Sequence, residues 1–547
     1  MNITKKNFSD QLDNITKDLD ECCFVGFDAE FTALLTGELF QYRLFDTNEE
    51  RYNRLKTEVG NIIMSQIGLT MFKYDRDQDS YIATGYTFHL CPQSVGDIDQ
   101  SLIFQASTLK FLCKHNFNFN KFIYEGLPYM SKTEGAKLRQ QIKNETLAGV
   151  LASCLEIAEE RQLQDFSSQV YKWLVDNEDW TMYLDVECPI LRYLTHLEIR
   201  RRFPNVLTAD SLGNSKKIVI YKNEHVEGAT YAPTATLEDN LMNHLLGFSK
   251  IIYLLEASKK PIIGHNMFMD IVLLHNQFIG PMPDKYVTFK KNIHKMFPNI
   301  YDTKYISNEL YTKINSGNSR SDMWKSTVLQ DLYEFFSDGK CKRLCFNVIK
   351  LSRPFDEKQT YHEAGWDSYC SGFCFIRLGH WAACENRGSN KLVGPTETLG
   401  VLGSFANKVN VIRSAVPFMN LADTDPPKHR PQLLHVRSLA SKTIDLGQVI
   451  YQFIYSTYIT SRQGDSLLHP TATSAFTLYI CLVNPASCEL FKLSEYVLCT
   501  LLTFTPTLFF NPTSSSILCV YFTLRTLTYP TLNKNYYFMC PISTLVS

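Results

Sequence analysis

Three apolar stretches near the start of the chain, CCFVGFDAEF, NIIMSQIGLTMFKY and SYIATGYTFHLC, are separated by polar segments and read as strands with a hairpin logic. The stretch that follows, FQASTLKFLCKHNF, repeats its apolar residues at helical spacing. Three strands and then a helix open an α/β domain. Residues 131–180 read as charged helices, and VECPILRYLTHLEIRRRFPNVLTADSLGNSKKIVIYK as a basic helix followed by a short strand, so that a small module is inserted here. The α/β pattern resumes in KKPIIGHNMFMDIVLLHNQF, a short apolar strand running into a helix, and continues to a helix over YHEAGWDSYCSGFCFIRLGHWA.

Beyond about Tyr455 the pattern changes. Residues 441–547 carry only nine charged side chains, five basic and four acidic, against 55 basic and 56 acidic in the whole chain. Short apolar bursts such as YVLCTLLTFTPTLFF alternate with Pro and polar residues, without amphipathic periodicity and without a run of about 18 apolar residues that would predict a membrane span. This tail reads as aberrant sequence, the product of an altered reading frame or a retained intron. The rest is ordinary for a globular chain of 547 residues, 45% hydrophobic and 20% charged. A net charge of −1 gives no global basic signature, so any nucleic-acid contact has to come from a local concentration of cations. Sixteen cysteines follow no disulfide framework, and MNITKKNFSDQLDNI is not a signal peptide, which points to a reducing, cytoplasmic setting. The pairs Cys341/Cys345 and Cys370/Cys374 lack the partner pair a structural zinc needs.

Three segments carry candidate chemistry. In CFVGFDAEF a strand delivers Asp28 and Glu30 two residues apart, hence on one face, and two carboxylates held so close call for a cation between them. Alone such a pair is a weak signal. Asp270 interrupts an apolar helix in GHNMFMDIVLLHNQF, where a lone acid is costly unless it binds something. His265 in the preceding turn has a packing or capping role as its simpler explanation. In HEAGWDSYC, His362 precedes Asp367 by five residues, a carboxylate ligand with an imidazole able to accept a proton near neutrality. Together they suit a two-metal hydrolysis.

The order of these segments resembles the DEDD exonucleases with a catalytic histidine, in the branch of the poly(A)-specific ribonucleases and the pre-piRNA-trimming exonucleases. FVGFDAEFTALL, SQIGLTMF, FQASTLKFLCKHNFNFNKFIYEGLPYM, PIIGHNMFMDIVLLHNQF, KKNIHKMFPNIYDTKYIS and HEAGWDSY carry it, over most of residues 20–435. FKKNIHKMFPNIYDTK and VNVIRSAVPFMNL bring the chain nearer to the trimming enzymes. The resemblance implies an α/β, ribonuclease H-like DEDD exonuclease fold with a mixed central sheet, interrupted by a small α/β nucleic-acid-binding insert. The divisions are 1–145 and 241–435 for the nuclease with its extension, 146–240 for the insert, 436–455 for the start of an RNA-recognition-like domain and 456–547 for a tail without a clear fold.

By the same resemblance, Asp28, Glu30, Asp270 and Asp367 hold two Mg²⁺, with Mn²⁺ able to substitute, and His362 is the general base of a 3′-5′ exoribonuclease that releases nucleoside 5′-monophosphates. Phe31 and Leu34 lie against the 3′-terminal base of single-stranded RNA, Leu34 having simple core packing as an equal alternative. Arg192 and His196, in an Arg-x-x-x-His arrangement continued by Arg200, Arg201 and Arg202, give the insert an RNA-contacting face. A Tudor-domain adaptor, a PIWI protein, a homodimer and the cytosolic face of the mitochondrial outer membrane are further implications, although no C-terminal membrane anchor is recognisable. Pre-piRNA and poly(A) both remain open as substrates, and a catalytically silent RNA-binding scaffold and a DNA-directed exonuclease are the competing classes.

Overall fold

The computed structural model describes residues 1–34, 46–176, 179–211, 214–222, 234–315, 323–338, 346–355, 360–388, 391–412, 414 and 416–427, together with four strands beyond them. Two compact units divide at Lys428.

The first unit is built on a seven-stranded mixed sheet. Strands β1 (Asn2–Ile3), β2 (Phe24–Phe31), β3 (Met64–Asp75) and β4 (Ser80–His89) stand in the order β1-β4-β3-β2, continued beyond β2 by Ile262–Gly264 and Ile300–Asp302. The pairs β2/β3 and β3/β4 are antiparallel, whereas Ile262–Gly264 lies parallel to both β2 and Ile300–Asp302. Ile349–Leu351 also pairs with β4, in parallel.

Both faces of β2 are covered, which explains its nearly continuous apolar run. Val25, Phe27 and Ala29 face one core, shared with Ile251, Ile271 and Phe289. Phe24, on the other face, packs with Phe72, Tyr369 and Phe375. Phe375 and Tyr369 belong to the helix Ala364–Arg387, in which every residue from Ala364 to Cys384 is buried. A helix with apolar or small residues on every side lies in the interior even where it carries Asp367, Arg377 and His380. It starts at Glu363, whose side chain accepts from the Trp366 N–H, and ends at Gly388 with a left-handed φ of +65°.

This helix lies unusually close to the sheet. A Cβ on Gly26 would sit 2.2 Å from the Ser368 carbonyl oxygen, and one on Gly68 would sit 1.8 Å from that of Ala364. Only glycine lets the backbones approach so nearly. Gly68 pairs directly with Asp28, so the two glycines bring the first turns of the helix onto the acidic end of β2.

The insert folds as expected for an α/β module. Strands Thr181–Asp185, Val206–Ser211 and Asn214–Lys222 form an antiparallel sheet with Asn214–Lys222 in the centre. Helices Ile157–Asp176 and Pro189–Arg202 pack on it through Val170, Trp173, Leu191, Ile199, Ile218 and Ile220.

In the second unit Leu434–Arg437, Ile517–Arg525, Ala475–Asn484 and Ser487–Glu495 form an antiparallel sheet in that order. Its last three strands fall in the stretch whose composition suggested no clear fold. Segments such as AFTLYICLVN are rich in β-branched and aromatic residues, which favour extended backbone without any amphipathic signal. Residues 438–455, most of the expected start of an RNA-recognition-like domain, lie like Cys341 and Cys345 outside the described residues. Among the described residues no helix is long and apolar enough to cross a membrane.

Candidate active site

Asp28 and Glu30 project from the end of β2 toward the long helix, whose first turn supplies Asp367. One carboxylate oxygen from each of the three lies within 4.8 Å of the others. Asp270 comes from the opposite side, on the helix Phe268–Leu274. All four line a pocket of about 270 Å³ together with His362, Phe31 and Leu34. The four acids and the histidine, from segments up to 339 positions apart, are therefore brought to one place, as are the two expected base-stacking residues. Leu34 is 41% exposed, so it faces the pocket and is not packed in the core.

Electrostatics at this site run against four bare carboxylates. Burial raises the pKa of Asp28 and Glu30 well above the usual range, and repulsion from Asp367, Asp270 and Glu363 adds to it. Asp270 and Asp367 are pushed up to about 7, again first by burial. Asp270 Oδ1 and Asp367 Oδ1 are buried without a hydrogen-bond partner. Raised acids with orphaned inward oxygens fit a divalent cation, which supplies the positive charge and the coordination that these oxygens lack.

That fit predicts a pH-dependent metal effect. An acid whose pKa rises from 3.8 unfolded to about 7 folded contributes stability that is present below pH ~4 and lost as the pH climbs through ~7. A bound cation offsets that loss. The rise in melting temperature on adding Mg²⁺ to chelator-treated protein is therefore expected to be small at pH 5 and to grow up to about pH 7.5. Buried histidines with lowered pKa, such as His244 and His275 at about 4, titrate in both arms and cancel. A Mg²⁺ increment that is flat with pH, or largest at pH 5, would contradict the assignment.

His362 sits at the pocket rim with φ +67°. Its backbone N–H donates to Asp367 Oδ2 at 3.0 Å, which explains why the two residues need a short gap between them. Packing around its ring, with His115 and Lys114 close by, holds the imidazole below its ordinary pKa, so the ring is neutral and able to accept a proton at pH 7.

Further residues complete the site, most of them not singled out in the sequence. Asp302, fully buried, accepts from the backbone N–H groups of Asn266 (2.9 Å), Met267 (3.0 Å), Lys304 (3.0 Å) and Asn410 (2.9 Å). It thereby fixes the turn that launches the Asp270 helix. Its clue was an acid closing the apolar strand in NIYDTK. Arg51, buried, lines the pocket and donates from Nη1 to the Ile412 carbonyl at 2.5 Å, which holds that wall. Phe111 lines the pocket too, and Glu363 adds a fifth negative charge near the acids. His265 lines the pocket while its Nδ1 engages the Thr303 hydroxyl at 3.0 Å, and burial lowers its pKa to about 3. It is a neutral wall residue.

Arg192 and His196 are not at this site. His196 is 1% exposed, with its ring nitrogens on Thr208 Oγ1 (2.8 Å) and Asp210 Oδ1 (3.2 Å), and Arg192 reaches the same Asp210 oxygen at 3.5 Å. The helix face they share is turned onto the insert's own sheet, so Arg192 and His196 belong to an internal network, whereas Arg201 and Arg202 are exposed and paired with Glu198. Their spacing is helical either way, and only the packing decides which side it faces.

With this geometry in place, comparison with known proteins identifies the scaffold. Residues 3–375 match the model of the CAF1 family ribonuclease. The chain belongs to the CAF1 ribonuclease family. It is 59% identical over 451 residues to the pre-piRNA 3'-exonuclease trimmer of Bombyx mori, covering 82% of this chain and 84% of that protein. The poly(A)-specific ribonuclease PNLDC1 of Mus musculus is 29% identical over 429 residues, covering 75% and 77%, and the poly(A)-specific ribonuclease PARN of Homo sapiens 28% over 491, covering 83% and 73%. As a member of this family the protein is a 3′-5′ exoribonuclease with a ribonuclease H-like DEDD fold, and CAF1 nucleases use divalent metals.

Proposed function

We propose that the protein trims the 3′ ends of pre-piRNA-like single-stranded RNA, using Asp28, Glu30, Asp270, Asp367 and His362. The observation that carries this reading is the convergence of four carboxylates of raised pKa and a neutral histidine in one pocket that Phe31, Leu34 and Phe111 also line. The 59% identity to a pre-piRNA exonuclease, about twice that to the poly(A)-specific enzymes, favours pre-piRNA over poly(A).

Asp28, Glu30, Asp270 and Asp367 would hold two Mg²⁺ ions, or Mn²⁺, which supply positive charge for the scissile phosphate and lower the pKa of the attacking water. His362 accepts the proton of that water as it attacks phosphorus. The 3′ oxygen of the penultimate nucleotide leaves, and a nucleoside 5′-monophosphate is released. Phe31 and Leu34 support the terminal base by stacking and apolar contact, which every base can satisfy. Asn266 Oδ1 accepts from Asn410 Nδ2 at 2.8 Å and His265 Nδ1 lies on the Thr303 hydroxyl. Apolar contact that every base can satisfy suits substrates of mixed sequence. A Tudor-domain adaptor, a PIWI protein bearing the RNA and a location at the mitochondrial surface accompany this proposal.

The test is a 3′-end digestion assay on RNA and DNA oligomers, of poly(A) and of mixed sequence, with and without Mg²⁺. Mixed-sequence RNA with a free 3′ end is expected to be shortened at a rate close to that of poly(A), only with the metal. A bulky 3′ block should stop the reaction, because the pocket has to enclose the terminal nucleotide. Cleavage of circular RNA, or strict dependence on adenosine, would overturn the reading.

A further inference from the structure

His362 occupies a backbone conformation that a side chain rarely adopts, φ +67°, and it stands at an exposed rim. A base that must meet a water within hydrogen-bond reach cannot be left to wander there. Its backbone N–H is fixed by Asp367, but that bond leaves the imidazole free to turn.

The helix Ala106–Lys114 and the residue that caps it supply what is missing. Phe111 and His115, one turn apart, form a three-ring cluster with His362. The His115 and His362 ring centroids are 4.3 Å apart at 66°, those of Phe111 and His362 are 4.9 Å apart at 71°, and those of Phe111 and His115 are 4.5 Å apart. His115 thus covers one side of the His362 ring, and Phe111 closes the cluster around it.

We infer that His115 is a positioning residue for the general base, holding the His362 imidazole in the orientation that receives the water's proton. The inference rests on the assignment of His362 as the base. His115 is not among the residues that line the pocket, so its effect on the reaction passes through His362. Its ring also faces Lys114 from its own helix, and the lowered pKa of His115 comes first from burial and then from that lysine. At neutral pH it is therefore an uncharged packing group.

The experiment is a double-mutant cycle in the full chain, with kcat and KM measured on a short RNA. His115→Ala is expected to lower kcat about tenfold and leave KM within about twofold, because orientation of the base acts in the transition state. His362→Ala alone is expected to cost at least ~100-fold. Adding His115→Ala to His362→Ala should cost less than about twofold, since two residues that act as one unit do not add. His115→Phe, which keeps a ring beside His362, should fall between wild type and His115→Ala. It carries the same cycle should the alanine variant melt early.

An unchanged kcat in His115→Ala, or a raised KM at constant kcat, overturns the positioning role. So do losses that multiply in the double variant while His362→Ala is impaired as expected, and in that case the base assignment stands. If His362→Ala itself keeps the wild-type kcat, the base assignment falls and the positioning role with it.

Discussion

Asp28→Asn, Asp270→Asn and Asp367→Asn are each expected to remove nearly all hydrolysis while leaving RNA binding within about a few-fold. Each change deletes one negative ligand from a site whose acids are raised in pKa first by burial and, for Asp28 and Glu30, also by repulsion from their neighbours, so the apo protein gains stability as it loses activity. Removal of one carboxylate relieves its neighbours, and a melting temperature in chelator that holds or rises is the accompanying signature. None of the three side chains is a principal phosphate contact, so affinity is little affected. Single-turnover rates at saturating RNA check this. Retention of more than about a tenth of the rate in any of the three, roughly 1.4 kcal/mol of barrier, would remove that residue from the metal site.

Asp302→Ala is expected to be the most damaging change outside the acidic set. It strands the N–H groups of Asn266, Met267, Lys304 and Asn410 in the interior, and each unsatisfied group costs about 1–3 kcal/mol. The sum approaches the whole stability of an ordinary domain, about 5–15 kcal/mol. Asp302→Asn should also destabilise, because Oδ1 accepts from Asn266 and Lys304 and Oδ2 from Met267 and Asn410. An amide has to face one of those sets with its NH₂. Thermal melting and RNA digestion should fail together in the alanine variant. A native melting temperature would mean that the turn before Asp270 is held by something else.

Much of the site could be read in the chain because its acids break local rules. Asp28 and Glu30 end an apolar strand at a spacing of two, and Asp270 sits among residues that a buried helix would otherwise fill with hydrocarbon. Such misfits are visible without any tertiary information. Asp302 also closes an apolar strand, but its role lies in amides as far off as Asn410, a partner that no local pattern announces. Phe111 and His115 likewise gain their meaning only when the loop carrying His362 comes down beside them. Arg192 and His196 show the converse failure, for their helical spacing was right and the side on which the insert's sheet packs was not in the pattern. The mixed sheet was legible in outline from the first strands and the strand-to-helix step at GHNM. The parallel seating of Ile262–Gly264 between β2 and Ile300–Asp302 was not, because three-residue strands carry no period.

The long helix Ala364–Arg387 ties catalysis to the order of synthesis. Until it has been made, Gly26 and Gly68 leave a bare channel along the sheet, the apolar face bearing Phe24 and Phe72 has no cover, and the acidic pair on β2 stands without Asp367 and His362. A ribosome-bound chain that ends short of this helix therefore has neither a complete core nor a complete set of cation ligands. The nuclease is inert until this helix has been made and becomes competent in the same event that closes its interior, so a chain that stops short of it cannot attack the RNA around it.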